Sequence, residues 1–296
     1  TSIHRKAMNI AYDSPSSIKT FLEAEGLAMS KRFGQNFLID RNARERLYAS
    51  LGTTGPATIW EIGPGIGAMT DILLEKGNRV TAFEIDYGFV RVLQSLFGEN
   101  PSFSLVEGDF LKTWKSRAGA DLSPAPAMPD VIFGNLPYNA ALGIIADLLE
   151  NAWVPAKMVF TVQKEAARRI VAVPGTKDYA AFSVLCSSVC KTKILYDIGA
   201  TSFWPQPRVT SSVVVLTPRP DPVAGGDRMG FSRFVRSSFS SRRKTLRNNL
   251  NALDRALAEH LDETLAKMGL PSDVRAEALT PEQLSSVYFS LPKAAV

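Results

Sequence analysis

The chain has 296 residues, 45% of them hydrophobic and 21% charged, with 34 Lys and Arg against 29 Asp and Glu for a net charge of +5. That composition excludes wholesale disorder and demands a globular core, and the length accommodates a catalytic domain beside a smaller one. Two cysteines, two distant histidines and no apolar run of about 18 residues argue against a zinc site, a disulfide framework and a membrane span.

The first residues, Thr1 to Ile10, lack the apolar stretch of a secretory signal. Ser14-Pro15 ahead of Ile18, Phe21 and Leu22, with Gly26 behind, predicts a capped helix: Ser at the N-cap, Pro at the first helical position, Gly at the stop. It belongs to an N-terminal helical arm over residues 1–40, which continues through a polar, basic connection from Ser30 to Leu38. Helix returns after Asp40, with Leu47 and Leu51 on one face. From there strands and helices alternate. Thr58 to Ile62 is a strand, Gly63 to Gly67 a turn, and Ala68 to Lys76 a helix stopped by Gly77. Arg79 to Asp86 is the second strand, followed by a helix from Phe89 to Phe97. Phe103 to Glu107 and Asp130 to Phe133 are the third and fourth strands. Leu142 to Glu150 is helical, and Lys157 to Val162 is the fifth strand. Ser116 to Pro129, rich in Ala, Pro and Asp, reads as an exposed loop. This alternation, with short connections, predicts an α/β fold whose parallel sheet is covered on both faces.

Cys186 and Cys190 lie four apart in an apolar run, read as small core residues, and fit a reducing compartment, here the cytoplasm. Val213 to Leu216 is a late strand. Pro218 to Pro222, with Gly225-Gly226 close behind, marks a domain boundary. Beyond it the period is helical, through Phe231, Phe234, Val235 and Phe239, then Leu246, Leu250, Leu253 and Leu257. The expected organisation is a first domain over residues 1–220 and a small all-helical domain over 221–296. Charge is focused in that tail. Phe231 to Arg247 holds Arg233, Arg236, Arg242, Arg243, Lys244 and Arg247 and no acid, whereas Asn251 to Val296 holds four bases and seven acids. Focused positive charge fits phosphate contact, and Lys31 and Arg32 add a second basic point. Phe203, Trp204, Arg208 and Tyr138 offer stacking surface for bases, with a core role for Phe203 and Trp204 equally open.

Three features carry chemistry. Glu61-Ile62-Gly63-Pro64-Gly65-Ile66-Gly67 joins a strand to a helix, where glycines let backbone approach a ligand. Glu84 ends the next strand, where an acid hydrogen-bonds ribose hydroxyls in nucleotide-binding sheets. That spacing fits a dinucleotide or S-adenosylmethionine. The wording, G-x-G-x-G after Glu61 rather than G-x-G-x-x-G, separates the turn from the dinucleotide pattern. Asp109-Phe110 is a third acidic strand end, able to accept an adenine amino group. Gly134-Asn135-Leu136-Pro137-Tyr138-Asn139 then follows the fourth strand. The Asn135 side-chain carbonyl and the Leu136 backbone carbonyl can each accept one N–H of an exocyclic amine. Pro137 stiffens the turn, and Tyr138 presents an aromatic face. That is positioning and electrostatic preorganisation for a weak nucleophile, in need of no metal.

Lys31 to Asp40 (KRFGQNFLID), Glu61 to Thr70 (EIGPGIGAMT), Gly134 to Asn139 (GNLPYN), Gln163-Lys164-Glu165 and Arg242 to Leu250 (RRKTLRNNL) together resemble the small-subunit ribosomal RNA adenine dimethyltransferases, the kasugamycin-sensitivity family. The resemblance runs from about Tyr12 to the final helices. It implies a Rossmann-like class I methyltransferase domain with a helical C-terminal domain. The implied reaction is two methylations on each of two adjacent adenines near the 3′ end of small-subunit RNA, linked to ribosome biogenesis. Its donor is S-adenosyl-L-methionine, and its product is S-adenosyl-L-homocysteine. The implied cofactor contacts are Asn36, Leu38, Gly63, Gly65, Glu84, Ile85, Asp109, Phe110 and Asn135, and the implied catalytic segment is Asn135, Leu136, Pro137 and Tyr138. Lys31, Arg32, Arg242, Arg243, Lys244 and Arg247 are the expected RNA contacts, and the resemblance implies a monomer. The chain departs from the family's commonest pattern at Ala140 to Gly143 and at Gln206. The alternatives are a large-subunit adenine methylase of the macrolide-resistance type, or a factor that binds ribosomal precursors or acts in transcription.

Overall fold

A computed structural model describes residues 10–27, 35–117, 128–223, 225–251 and 255–291. The chain divides into two compact units. The first comprises Thr1–Ile144, Pro155–Lys164 and Leu195–Val215, and the second comprises Ile145–Val154, Glu165–Ile194 and Leu216–Val296.

The first unit opens with helix α1 (Pro15–Ala24), whose N-cap Ser14 accepts the N–H of Ser17, as the Ser-Pro signal requires. Strand β1 (Phe37–Leu38) and helix α2 (Arg41–Leu51) follow, the latter capped by Asp40 and stopped by Gly52 in the left-handed region. Then come β2 (Thr58–Ile62), α3 (Ala68–Glu75), β3 (Arg79–Glu84), α4 (Tyr87–Phe97), β4 (Phe103–Glu107), α5 (Phe110–Arg117), β5 (Val131–Asn135), α6 (Ala141–Glu150) and β6 (Lys157–Gln163). The second predicted strand stops two residues early because Asp86 caps α4 through the N–H of Gly88 and so starts that helix at Tyr87. Of the predicted loop from Ser116 to Pro129, Ser116 and Arg117 finish α5, and residues 118–127 lie outside the described ones.

After α7 (Lys164–Val171) and α8 (Ala181–Val189) the chain returns through β7 (Cys190–Ile198), β8 (Phe203–Trp204) and β9 (Ser211–Pro218). The central sheet has seven strands in the order β4-β3-β2-β5-β6-β9-β7. The pairs β2–β3, β3–β4, β2–β5 and β5–β6 are all parallel. Strand order reverses at β2 and β5, which creates a switch point. Crevices at the carboxyl ends of strands on either side of such a point are where open α/β sheets bind ligands. Leu47, Leu51, Ile72, Leu73, Leu93, Phe97, Val131 and Phe133 are among the buried residues of the core around this sheet. A satellite cluster of Ile18, Phe21, Leu22, Phe37, Ile66, Phe89 and Val92 ties α1 to the glycine turn and α4.

The second unit is built around α8, α9 (Arg228–Ser238), α10 (Leu246–Asn251), α11 (Arg255–Lys267) and α12 (Pro281–Ser290). The predicted stripe Phe231, Phe234 and Val235 is fully buried, each such side chain contributing roughly 1.5–3 kcal/mol of burial. Leu246 and Leu250 join it from α10. The unit also takes in chain that precedes the proline-rich boundary, since Tyr179 and Val184 pack in the same cluster. Tyr179 donates its hydroxyl to the Leu279 carbonyl at 2.9 Å. Cys186 and Cys190 are free and buried, and burial pushes the Cys190 thiol up to about 12, as core residues rather than reactive ones require.

Candidate active site

The carboxyl ends of β2 and β5 open into a cleft that is open to solvent. Its lining includes Asn36, Leu38, Gly63, Gly65, Glu84, Ile85 and the whole run Asn135 to Tyr138. Asn36 and Asn135, 99 residues apart in sequence, thus converge on one wall. Gly63 has φ +70°, and a Cβ there would stand in open space, so its backbone faces the cleft bare. Gly65, at φ +59°, lies so close to the Phe37 ring that a Cβ would come within 2.8 Å of it. The first glycine leaves room for a ligand, and the second lets the N-terminal arm close over the turn.

Two acids are buried in this wall. Glu84 Oε2 accepts the N–H of Gly65 at 3.0 Å, and Oε1 accepts the N–H of Asp86 at 2.8 Å. The carboxyl is therefore aimed by backbone on both sides. Burial pushes its pKa up to about 7, against the lowering effect of those two hydrogen bonds. Glu61 accepts the Thr70 hydroxyl at 2.6 Å and is pushed up to about 8, chiefly by burial. The Thr70 bond lowers it and the neighbouring Glu84 raises it further. Glu61 also lines the cleft. Glu61 is thus a site residue beyond those expected from the sequence, and its signal there is an acid two positions before the first glycine.

Asp109 and Phe110 do not line the cleft. Asp109 accepts the N–H of Leu111 at 3.0 Å at the start of α5, and the N–H of Gly108 donates to the Glu84 carbonyl at 2.8 Å, which holds this strand end beside β3. Phe110 is buried edge-on against Phe83 at 5.0 Å and stacks on Trp114, a packing role rather than a surface one.

Asn135 is the last residue of β5. Its Nδ2 donates to the Asn36 carbonyl at 2.9 Å. A backbone carbonyl can only accept, so this contact fixes which end of the amide is which and leaves the Asn135 Oδ1 as the remaining acceptor. The Leu136 N–H donates to the Thr161 carbonyl at 3.1 Å, and its side chain is buried. The Pro137 carbonyl accepts the N–H groups of Ala140 and Ala141, both at 3.0 Å, which turns the chain into α6. Tyr138 is half-buried, and its hydroxyl lies 2.8 Å from the Ser211 Oγ. Burial raises the Tyr138 phenol, partly offset by that bond. Phe203 and Trp204 pair with Leu38 and Phe37 as an antiparallel ribbon. Phe203 is buried in the core, Trp204 is partly buried and stacks on Phe37 at 6.5 Å, and Arg208 is exposed.

In the second unit the basic stretch is only partly free. Arg242 pairs with Glu277 at 2.6 Å, donates to the Thr176 carbonyl at 3.1 Å and also bonds the Lys177 carbonyl. Arg247 pairs with Asp262, and Arg236 with Glu150. Arg233, Arg243 and Lys244 are exposed and carry no ion pair among the described residues. Lys31 and Arg32 lie outside the described residues. Among the described residues no group of three or more His, Cys, Asp and Glu is placed to hold a metal ion, and no helix is long and apolar enough to cross a membrane.

A parallel sheet with a glycine turn, a buried acid at the end of the next strand and a ligand cleft at the switch point defines a class I methyltransferase fold. Comparison with solved structures agrees. A dimethyladenosine transferase from Plasmodium falciparum superposes with a TM-score of 0.70 at 21% identity, over 84% of this chain and 94% of that one. The 23S rRNA methyltransferase ErmE superposes with a TM-score of 0.60 at 22% identity, over 86% and 98%. In sequence, residues 26–292 match the family described as ribosomal RNA adenine dimethylase, and the chain belongs to that family. A ribosomal RNA small subunit methyltransferase A from Treponema denticola is 46% identical over 272 residues, 90% of this chain and 91% of that protein.

Proposed function

We propose that this chain transfers methyl groups from S-adenosyl-L-methionine to the N6 amino groups of two adjacent adenines near the 3′ end of small-subunit ribosomal RNA, as a cytoplasmic monomer acting in ribosome biogenesis. Family membership and 46% identity to a small subunit methyltransferase A support the substrate. The observation that carries the chemistry is the Asn135 amide, anchored through Asn36 so that its oxygen is left as an acceptor.

The residues present fit the cofactor. Gly63 leaves open space along the turn, and Glu84 offers a buried, doubly oriented carboxylate suited to ribose hydroxyls. Asn36, Leu38, Gly65 and Ile85 line the same cleft. Asp109 would reach the adenine from the end of β4. When bound, S-adenosyl-L-methionine supplies a methyl group on a cationic sulfur and leaves as S-adenosyl-L-homocysteine.

The chain's work is on the amine. The N6 lone pair of adenine is delocalised into the ring and is a poor nucleophile. Acceptance of its two N–H groups by Asn135 Oδ1 and the Leu136 carbonyl draws the nitrogen toward a tetrahedral shape and concentrates that pair. Tyr138 stacks on the base, which enters from a flipped or single-stranded position. Arg243 and Lys244, with Lys31, Arg32, Arg242 and Arg247, hold phosphates.

The test is transfer of labelled methyl to unmethylated small ribosomal subunits, with large subunits in parallel, followed by nucleoside analysis. N6,N6-dimethyladenosine in the small subunit alone is expected. Dimethyladenosine in the large subunit would reassign the substrate to that of resistance-type methylases. No label in either would favour a binding factor.

A further inference from the structure

We propose that Ser211 is a positioning residue that locks the ring of Tyr138 over the target base and so favours the second methylation over release of the monomethylated product. The proposal rests on the reading above and assigns a role to a residue outside the signature.

The geometry is specific. Ser211 is the first residue of β9, is 0% exposed, and sits 2.8 Å from the Tyr138 hydroxyl. It is held on both sides. The Thr210 carbonyl accepts the N–H of Lys164 at 3.0 Å, and the Ser212 hydroxyl donates to Asp197 Oδ1 at 2.6 Å. Asp197 Oδ2 in turn takes the Lys164 ammonium at 2.5 Å. The Tyr138 ring lines the cleft and, among the described residues, touches no other aromatic ring. Its hydroxyl has Ser211 as its side-chain partner. Stacking by itself needs only a ring face, which phenylalanine also supplies. A hydroxyl at the far end of the ring, bonded to a rigid buried serine, fixes the plane of that face.

The demand for a fixed plane rises between the two transfers. Each transfer forms an N–C bond and replaces one N–H, whose proton goes to water, while the bonding pair of the departing methyl stays on the donor sulfur. Adenine offers two N–H groups to Asn135 Oδ1 and the Leu136 carbonyl. N6-Methyladenine offers one. The monomethylated base has therefore lost one of its two hydrogen-bonded anchors, and the stack on Tyr138 carries more of its orientation. A ring free to tilt slows the second transfer more than the first.

The experiment follows both nucleosides over time in unmethylated small subunits with wild type, Ser211→Ala, Ser211→Thr, Tyr138→Phe and the Ser211→Ala/Tyr138→Phe double variant. Cofactor affinity by calorimetry reports the integrity of the cleft. Ser211→Ala and Tyr138→Phe should each raise the ratio of monomethyl- to dimethyladenosine by about three- to tenfold, the range expected for loss of one positioning hydrogen bond. The double variant should add nothing further, because both changes remove one bond, and Ser211→Thr should restore the ratio. Tyr138→Phe deletes a single oxygen from a half-buried ring and keeps the test open even if Ser211→Ala does not fold. A wild-type ratio in Tyr138→Phe, or additive effects in the double variant, would overturn the role of Ser211. Absence of dimethyladenosine with the wild-type chain would instead overturn the substrate assignment beneath it.

Discussion

The cleft in the first unit and the basic stretch of the second use polar groups in contrasting ways. In the cleft, Glu61, Glu84, Asn135 and Tyr138 are each tied to a partner at 2.6–3.0 Å, and two of them are buried acids. On the basic stretch the side chains are exposed, and Glu150, Glu277 and Asp262 neutralise three of the six cations. Buried, oriented groups act at short range and tolerate no displacement. Exposed charges act through their sum and through salt. The difference implies steep, local losses from substitutions in the cleft and shallow, ionic-strength-dependent ones from the tail.

The largest loss is expected at Asn135. Asn135→Ala removes one acceptor for the amine and frees the Asn36 carbonyl. Single-turnover transfer at saturating cofactor should fall by about 10²–10³-fold, the usual cost of one preorganised polar contact. A loss under tenfold would mean that the amine is held elsewhere and that the cleft is no steeper than the tail.

Next is Glu84. Glu84→Ala should weaken cofactor binding by about 1–3 kcal/mol in calorimetry, the cost of lost hydrogen bonds to a charged group. Unchanged affinity would remove Glu84 from the cofactor site. The same two acids predict a pH signature in the ligand-free protein. Glu84 and Glu61 are raised from 4.5 to about 7 and about 8. Between those limits the folded chain holds protons that the unfolded chain releases. Their contribution to stability is therefore full below about 4.5 and is lost as pH rises through 7 and 8. Wild type should melt lower at pH 9 than at pH 6, and Glu61→Gln should flatten that fall by a few degrees, on the order of 1–2 kcal/mol. A melting temperature independent of pH over this range would show that both acids ionise freely in the fold.

How far the sequence foretold this contrast depends on how local each determinant is. The strand–turn–helix alternation and the signature at Asn135 to Tyr138 are local patterns, and β2, β3, β4 and β6 fall where periodicity put them. The sequence could not report pairings across the fold. Nothing near Asn135 announces Asn36 as its partner, and nothing near Tyr138 announces Ser211. Phe110 shows the limit of motif reading. An aromatic at a strand end looks like a ligand contact, yet Phe110 packs against Phe83 and Trp114. Helix α7 is amphipathic, with Ala167 and Ile170 buried, but its eight residues are too few to set a period, and α8 is buried over most of its surface, so neither stands out as a long amphipathic stripe. The run from Arg233 to Arg247 was legible as charge, but which cations are spent on carboxylates was not.

That last point yields the smallest effect and the most discriminating one. Arg243 and Lys244 are exposed without ion pairs, so both charges are available to phosphate. Arg242 and Arg247 are each engaged with a carboxylate, and Arg242 also holds the Thr176 and Lys177 carbonyls. Each phosphate contact contributes about 0.7–0.9 to the slope of log affinity against log salt. Arg243→Ala with Lys244→Ala should therefore flatten the RNA-binding slope by roughly 1.4 to 1.8 and leave stability within about 0.5 kcal/mol. Arg242→Ala should do the reverse, costing up to about 1 kcal/mol of stability through its partners while shifting the slope by less than one contact. If the two sets behave alike in salt titrations, the carboxylates release their arginines when RNA arrives, and the basic stretch works as six charges rather than three.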